Sequence, residues 1–365
     1  MRIGIDGNLL GLTYHSGMRH YLENLIFGLA KIDKKNEYFV FASEKVKIPK
    51  QNNFKLKIIS SNLPVLKRQL IYPLFIKKQK VEVFHYPNET WASVFITFPK
   101  TVVTLHDFAS CYAYPSWFSH PKFFLFQTYY NFVRKYILKK CSRIIAVSKT
   151  MADEAVSLEI PRNKISVLYH GVSPEFRKAK KSKKGNYFLA FADFSPRKNI
   201  VRVLEAFLLF LKKSHSKTRL KVIISTSFPQ PTITNKSRDL GILKSVDIYK
   251  NIPQKRLIKL YQNSMCLVWP SLYEGFSLPV VEAFACGCPV ITSNYGAMQE
   301  VSGNAALLVN PKSVNEISTS MIRVTEDKKI REKLIKKGLE RAKGFSWLST
   351  AKQTLKIYEM VYRQT

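Results

Sequence analysis

The chain has 365 residues, which is enough for two domains of ordinary size, and 46% of these residues are hydrophobic, which excludes a disordered chain. No apolar run reaches the ~18 consecutive residues that a membrane-spanning helix needs. The opening sequence M-R-I-G-I-D-G-N predicts a strand and a polar turn rather than a signal peptide. The five cysteines are unevenly scattered, so we expect neither a disulfide framework nor a zinc site, and a reducing cytosol fits this composition.

The formal net charge of +34 exceeds what solubility requires. It is compatible with nucleic-acid binding, with attraction to an anionic membrane surface, or with a lysine-rich composition on solvated faces. No helix-turn-helix, zinc-finger or RNA-binding aromatic motif accompanies the lysines. We therefore favour a membrane surface together with compositional bias, and we expect no nucleic-acid partner.

The first half begins with a predicted strand at residues 2–5 that ends at Asp6-Gly7. The helix that follows from Met18 has the i, i+3, i+4, i+7 apolar stripe of a helix that packs on a sheet. Gly17, after Ser16, makes a flexible turn that opens this helix and suits the approach of an anion. Apolar runs predict further strands at 38–42, 56–60, 82–86 and 101–105.

His106 comes directly after the last of these strands. A lone histidine after a strand is more often structural than catalytic. Its position at the carboxyl end of a strand favours a functional role, because ligands bind at that edge of a parallel sheet. Asp107 would then orient the imidazole ring or cap the loop.

Residues 112–138 combine many aromatic side chains with basic ones. At helical spacing such a stripe is usually core, and part of it leads into the clear strand R-I-I-A-V-S. The aromatic residues nevertheless exceed what one buried face needs, and Trp and Tyr beside Lys and Arg are typical of a bilayer interface. We hypothesise that the part from Trp117 to Phe126 contacts the membrane or a lipid-linked acceptor.

After a helix capped by Ser148 and a charged linker, the second half repeats the alternation of strands and helices. A strand at 186–192 is followed by Arg197-Lys198 and by a helix from Val201 to Leu211. A basic pair at a strand-to-helix turn suits a diphosphate, with Arg as a planar fork and Lys as a point charge. Ordinary surface charge is the alternative in so basic a chain.

The remaining elements of the second half follow from apolar runs and helical periodicity. Strands are predicted at 220–225, 246–249 and 306–309, and helices at 253–262, within 313–343 and from Ser346 to the end. Asn294, Tyr295 and Gly296 are predicted to form a loop at a strand end.

The stretch 269–291, W-P-S-L-Y-E-G-F-S-L-P-V-V-E-A-F-A-C-G-C-P-V-I, predicts a strand–loop–helix–strand unit. Pro279 would start the helix and Gly287 would end it in a left-handed conformation. Glu274 would lie in the loop and Glu282 on the first helical turn, both facing the crevice where the helix N-terminus offers N–H groups to an anion. Two acids beside an anion site describe a place for a phosphorylated sugar. In the alternative interpretation Glu282 stabilises its own helix dipole and Glu274 is a solvated loop acid.

The string E-G-F-x-L-P-x-x-E-A followed by C-G-C-P-V-I resembles the E-x7-E signature of the retaining glycosyltransferases of family 4, which have the GT-B fold. The resemblance extends to T-L-H-D around His106, to the junction at His170-Gly171 and to P-R-K-N around Arg197. It implies that Glu274 contacts the transferred sugar and Glu282 the nucleotide ribose. The same resemblance implies that Gly275, Phe276, Ser277 and Leu278 bind the donor.

The resemblance also assigns the remaining candidates. Gly17 lies where the family has its glycine-rich loop, and His106 would approach the transferred sugar from the N-terminal domain. Arg197 and Lys198 would neutralise the phosphates of the leaving nucleotide, so that no metal ion or other cofactor is needed. Three positions depart from the family pattern, since Ser16, Ala192 and Ser277 stand where glycine is frequent.

We therefore expect an α/β protein of the GT-B class with two Rossmann-like domains facing a central cleft. The N-terminal, acceptor-side domain would comprise residues 1–172, with the helix 346–365 crossing back to it, and the nucleotide-sugar domain residues 173–345. The expected activity is transfer of a hexose, namely mannose from GDP-mannose, to a glycan or lipid-linked acceptor. A UDP-sugar donor, a GT-B sugar-nucleotide epimerase and a non-catalytic nucleic-acid binder are the alternatives. A cytoplasmic protein, peripheral on the membrane, fits these expectations.

Overall fold

A computed structural model describes residues 1–12, 17–59, 67–89, 93, 100–108, 121–180, 185–193, 195–224 and 230–364. Side chains are not described at 67–68, 121–127, 130 and 133. The chain forms two compact units, one made of Met1–Gly171 with Trp347–Thr365 and the other of Val172–Ser346.

The first unit is built on a parallel sheet of seven strands in the order β3-β2-β1-β4-β5-β6-β7. The strands are apolar and largely buried, as expected where helices cover a parallel sheet. They are β1 (Arg2–Asp6), β2 (Glu37–Ala42), β3 (Phe54–Ile58), β4 (Val83–Tyr86), β5 (Lys100–Leu105), β6 (Arg143–Ala146) and β7 (Ile165–Val167).

Helices connect these strands and cover the sheet. They are α1 (Gly17–Ile32), α2 (Tyr72–Lys78), which continues the π-helical turn Lys67–Ile71, α3 (Pro121–Lys140), α4 (Lys149–Ser157) and the C-terminal α12 (Trp347–Arg363). Ser148 caps α4 as predicted, because its side chain accepts a hydrogen bond from the Met151 amide. The C-terminal helix α12 packs on α1, where the missing side chain of Gly28 lets Ala351 approach closely.

The second unit repeats the plan with six parallel strands in the order β10-β9-β8-β11-β12-β13. Its strands are β8 (Tyr187–Ala192), β9 (Arg219–Ile224), β10 (Val246–Lys250), β11 (Cys266–Trp269), β12 (Val290–Ser293) and β13 (Leu307–Val309). Its helices are α5 (Ile200–Ser214), α6 (Gln230–Asp239), α7 (Gln254–Asn263), α8 (Leu278–Ala285), α9 (Gly296–Ser302), α10 (Val314–Glu326) and α11 (Lys328–Ala342).

Both sheets have the doubly wound order, in which the direction of chain progression reverses beside the first strand. The reversal lies between β1 and β4 in the first sheet and between β8 and β11 in the second. Ligands of such sheets bind outside the carboxyl ends of the strands at this switch point. The fold therefore indicates one candidate edge in each unit.

Asn294 and Tyr295 lie in the predicted loop after β12, but the bound at Gly296 is wrong, and two further predictions fall outside the described residues. Gly296 was expected in a loop, but it begins α9 with a φ of 60°, a conformation that glycine adopts without strain. Ser16 and the aromatic part from Trp117 to His120 are not described, and neither are the side chains of 121–126. None of the helices in the described part is long and apolar enough to span a bilayer.

Candidate functional site

The candidate site of the second unit lies where β8 and β11 end, at the switch point of its sheet. The chain leaves β8 through Asp193 and a turn of 3-10 helix at Pro196–Lys198 before α5 begins. It leaves β11 at Trp269 and runs through a loop to α8. Side chains that are far apart in sequence therefore meet at one edge.

Asn199 fixes the basic turn. This residue has the left-handed backbone (φ 61°) that asparagine tolerates better than most residues. Its buried Nδ2 donates to the carbonyls of Pro270 and Pro311, at 2.9 and 2.7 Å. The turn that carries Arg197 and Lys198 is thus tied to the loop after β11.

Glu274 lies between the two cations. Its Oε1 atom is 2.7 Å from the Nζ of Lys198, and its Oε2 atom is 3.0 Å from an Nη of Arg197. The hydroxyl of Ser271 lies 2.9 Å from the same Oε1 atom. Glu274 is only 8% exposed, so the interpretation as a solvated loop acid is wrong.

The charges of this cluster are coupled. Burial raises the pKa of the Glu274 carboxyl, but Lys198 and Arg197 outweigh burial and hold the pKa below its ordinary value. Asp193 accepts a hydrogen bond from the Ser195 amide at 2.7 Å. Burial raises the pKa of Asp193, against the opposing effect of Lys198 and Arg197, so this neighbour is easier to protonate than a free aspartate.

A row of aromatic rings connects this cluster to Glu282. The Nζ atom of Lys198 lies 4.7 Å from the centroid of the Trp269 ring, a cation–π distance. Phe191 contacts both Trp269 and Tyr261, with centroids 5.8 Å apart in each case. The Tyr261 hydroxyl then donates to Glu282 at 3.1 Å.

Glu282 does not lie on the first helical turn as predicted. It is the fifth residue of α8, because the helix begins at Leu278 rather than at Pro279. Burial raises the pKa of Glu282 to about 7, and the hydrogen bond from Tyr261 only partly opposes this rise. The interpretation in which Glu282 stabilises the N-terminus of its own helix is not supported, since the carboxylate lies one turn inside.

The loop residues Gly275, Phe276 and Ser277 lead directly into α8, whose first residue is Leu278. Ser277 has a left-handed backbone (φ 82°, ψ 65°), which explains why glycine is favourable here. Its hydroxyl accepts a hydrogen bond from the Trp269 indole at 2.9 Å, a contact that glycine cannot make. At the other end of α8, Gly287 has the predicted positive φ of 67°.

His106 lies in the first unit, immediately after β5. Its Nε2 atom is 2.8 Å from the Pro87 carbonyl, and because a carbonyl only accepts, Nε2 carries the proton. Burial lowers the pKa of His106 to about 4, so the ring is neutral at pH 7 and Nδ1 is an acceptor. The ring donates the hydrogen bond that orients it to the Pro87 carbonyl, and Asp107, which was predicted to orient the ring or to cap the loop, contributes a nearby negative charge.

Gly17 is the first residue of α1 and is exposed. One turn further along, the buried ring of Tyr21 lies 4.9 Å from His106 and 4.9 Å from His170, measured between centroids. The helix that begins at Gly17 therefore contacts His106 through Tyr21.

Sequence reasoning missed several residues of the candidate site in the second unit. They are Asp193, Asn199, Tyr261, Trp269 and Ser271. Their signal was weak, because each is a common residue type whose role depends on a partner distant in the chain. Position alone pointed to Asp193 and Trp269, which follow or end strands. Among the described residues, no group of three His, Cys, Asp or Glu side chains is arranged to hold a metal ion.

The chain is similar to known glycosyltransferases. Residues 172–341 match the family model Glycosyl transferases group 1, and residues 15–176 match the model Glycosyltransferase Family 4. The chain is 31% identical over 210 residues to the O-antigen chain mannosyltransferase RfbU of Salmonella typhimurium, a match that covers 57% of this chain and 56% of that protein. It is 28% identical over 251 residues to the MMP alpha-(1->4)-mannosyltransferase of Mycolicibacterium hassiacum, covering 67% and 60% of the two chains.

Among solved structures, sucrose-phosphate synthase from Thermosynechococcus elongatus superposes with a TM-score of 0.81 at 18% identity and covers 100% of both chains. This likeness concerns the fold alone. The chain therefore spans only part of the length of the two mannosyltransferases, 56% of the first and 60% of the second.

Proposed function

Because the chain belongs to glycosyltransferase family 4 and has the GT-B fold, we propose that it is a retaining glycosyltransferase that moves a hexose from a nucleotide sugar to an acceptor. The observation that carries the proposal is the cluster of Glu274, Arg197 and Lys198 at the switch point of the second sheet. The second unit would hold the donor, with its diphosphate against the two cations.

The cluster suits the departure of a nucleoside diphosphate. Negative charge grows on the leaving phosphate as the glycosidic bond breaks, and fixed cations near that position stabilise the transition state. Arg197 offers a planar fork and Lys198 a point charge, and the N-terminus of α8 adds N–H groups. Glu274 holds both cations in place before the donor arrives, and it is proposed to contact the transferred sugar.

Glu282 and His106 keep the roles that the family resemblance implies. Glu282 would accept hydrogen bonds from the nucleotide ribose and Gly275–Leu278 would line the donor. His106, neutral and with Nδ1 as an acceptor, would contact a hydroxyl of the transferred sugar. Retention implies attack from the face that the diphosphate leaves, with the leaving phosphate as base, and this stereochemistry is taken from the family.

For the donor we propose GDP-mannose, because the two relatives described above are named mannosyltransferases. A UDP-sugar is the alternative. The acceptor is proposed to be a glycan or a lipid-linked glycan, and the protein to act in the cytoplasm, peripherally on the membrane. Transfer would proceed without a metal ion, since Arg197 and Lys198 supply the positive charge.

The test is transfer of labelled sugar from GDP-mannose, UDP-glucose and other nucleotide sugars to acceptors in a cell-envelope extract, with EDTA present. Arg197→Ala and Glu274→Gln should each lower transfer by about 100-fold or more, as loss of an oriented charge does in other active sites. Asp247→Asn is the matched control, because Asp247 on the edge strand β10 pairs with Arg219 on the neighbouring strand β9, and neither strand forms the switch point.

Near-wild-type transfer by Arg197→Ala or Glu274→Gln would refute the assignment. Loss of activity in EDTA that Mg²⁺ restores would refute the metal-independent mechanism alone. Conversion of the nucleotide sugar in the absence of any acceptor would instead favour the epimerase.

A further inference from the structure

The helical segment Lys67–Lys78 of the first unit has an apolar outward face. Leu70, Leu74 and Phe75 are 46%, 68% and 42% exposed. On the opposite face, Tyr72 and Ile76 are buried. The buried side chains anchor the segment to the first unit. Its other apolar side chains face solvent, whereas the solvent-facing side of a surface helix is usually polar.

The segment is rich in basic residues. The sequence from Lys67 to Lys80 contains five lysines and arginines and no Asp or Glu. Lys77, Lys78 and Lys80 are exposed at its C-terminal end. Leu74 and Lys78 are four residues apart in α2, so an apolar side chain and an ammonium group lie on the same side of the helix.

The apolar face begins at the candidate edge of the first sheet. The Tyr72 hydroxyl, at the start of α2, accepts a hydrogen bond from the Asn8 amide at 2.6 Å, and Asn8 follows β1. Three residues before Tyr72, Gln69 donates to the Tyr129 hydroxyl of α3 at 3.0 Å. A surface bound to this helix is thereby brought next to the switch point between β1 and β4.

We infer that Leu70, Leu74 and Phe75 insert into the interface of an anionic bilayer while Lys77, Lys78 and Lys80 contact its lipid phosphates. Apolar side chains beside lysines, whose long stems let the charge stay in the headgroup region, are the composition that such an interface binds. The inference concerns residues other than those predicted from sequence for membrane contact, and it does not depend on the transfer activity.

Charge favours the bilayer over a second copy of the chain. A symmetric dimer uses the same patch on both copies, so it would bring two sets of lysines together in a protein whose net charge is already +34. Like charges oppose that contact, whereas anionic lipid attracts each lysine.

The test is co-sedimentation of the full chain, without donor, with vesicles of phosphatidylcholine alone or mixed with phosphatidylglycerol. We expect binding to the mixed vesicles that weakens at high salt, because screening acts on the lysines. The double variant Leu74→Ser/Phe75→Ser should bind them at least about tenfold more weakly, since the apolar insertion is lost. Lys77→Glu/Lys78→Glu should weaken binding to the mixed vesicles, because two lysine–phosphate contacts are lost.

The matched control is Val156→Ser/Leu158→Ser, which changes two apolar residues of the same unit that are 40% and 41% exposed. It should bind like the wild type. All variants change exposed residues, and unchanged thermal midpoints would show that they fold. Equal vesicle binding by wild type and Leu74→Ser/Phe75→Ser overturns the inference. If that variant also loses self-association, the apolar face binds a second copy of the chain instead.

Discussion

At the scale of single residues, the position of Glu274 determines the orientation of Arg197 and Lys198. Two cations in a partly buried site repel each other, and a carboxylate between them offsets that repulsion. Its two oxygens are shared between Lys198 and Arg197, which keeps both side chains directed toward one place. Glu274 therefore organises the candidate diphosphate site in addition to its proposed contact with the sugar.

Ser277 shows how a departure from the family pattern is accommodated. A left-handed backbone is unfavourable for a residue with a Cβ atom. The hydrogen bond from Trp269 to the Ser277 hydroxyl offsets part of that cost and connects the loop to the ring under Lys198. The sequence showed that glycine was absent, but it did not show which contact replaced it.

Glu282 should make the stability of the second unit depend on pH. Burial raises the pKa of this carboxyl to about 7, above the ordinary value of 4.5 that it regains on unfolding. Between these values the folded protein keeps a proton that the unfolded chain releases. The free energy of unfolding therefore falls as the pH rises through this window and levels off above it.

We expect Glu282→Gln to remove this decline, which amounts to about 1–3 kcal/mol. The measurement is the thermal midpoint as a function of pH for wild type and variant. Glu326→Gln, at a glutamate of the same unit that ends α10, is the control and should keep the wild-type pH dependence. An unchanged pH profile in Glu282→Gln would contradict the prediction, because it would show that burial does not raise the pKa of Glu282 in the folded protein.

At the scale of elements, the C-terminal helix α12 is held by a chain of buried hydrogen bonds as well as by packing. The Tyr358 hydroxyl lies 2.6 Å from Nδ1 of His85 on β4. The Nε2 atom of His85 lies 2.8 Å from the Thr104 hydroxyl on β5, which lies 2.8 Å from the Tyr21 hydroxyl on α1. Burial lowers the pKa of His85 to about 3, so this ring stays neutral and joins four elements of the first unit.

We predict that Tyr358→Phe lowers the opening free energy of α12 by about 1–3 kcal/mol, because His85 is left with a buried, unpaired ring nitrogen. Hydrogen exchange of the α12 amides measures this free energy. Tyr362→Phe makes the same change four residues further along the helix, at a ring that is 44% exposed, and should leave the exchange unaltered. Equal protection in the two variants would contradict the structural role of the chain of hydrogen bonds.

At the scale of the whole molecule, apolar runs predicted the strands that carry the site. β5 and β8, which lead into His106 and Asp193, lie within one residue of the predicted positions, because buried parallel strands are nearly continuous apolar runs. The polar helix α6 was missed, since only Ile233 and Ser237 are buried and no apolar stripe marks it.

The candidate site was only partly predictable for a different reason. Glu274 and Arg197 are 77 positions apart, and their contact depends on β8 and β11 being neighbours in the sheet. Neither composition nor spacing shows that β8 and β11 are adjacent in the sheet. The family resemblance was the basis for placing Glu274 and Arg197 in one site. The row from Lys198 through Trp269, Phe191 and Tyr261 to Glu282 was visible only once the strands were arranged.

The central claim is that Arg197 and Lys198 bind the diphosphate of a nucleotide donor, and calorimetric titration of the full chain with GDP, UDP and the matching nucleosides tests it most directly. We predict that Arg197→Ala and Lys198→Ala each weaken diphosphate binding by about 10–100-fold, the usual range for a charge-assisted hydrogen bond. Nucleoside binding should not change, and Asp247→Asn should bind both ligands like the wild type. Diphosphate affinities equal to wild type in both variants, or the same loss for nucleoside and diphosphate, would contradict the claim.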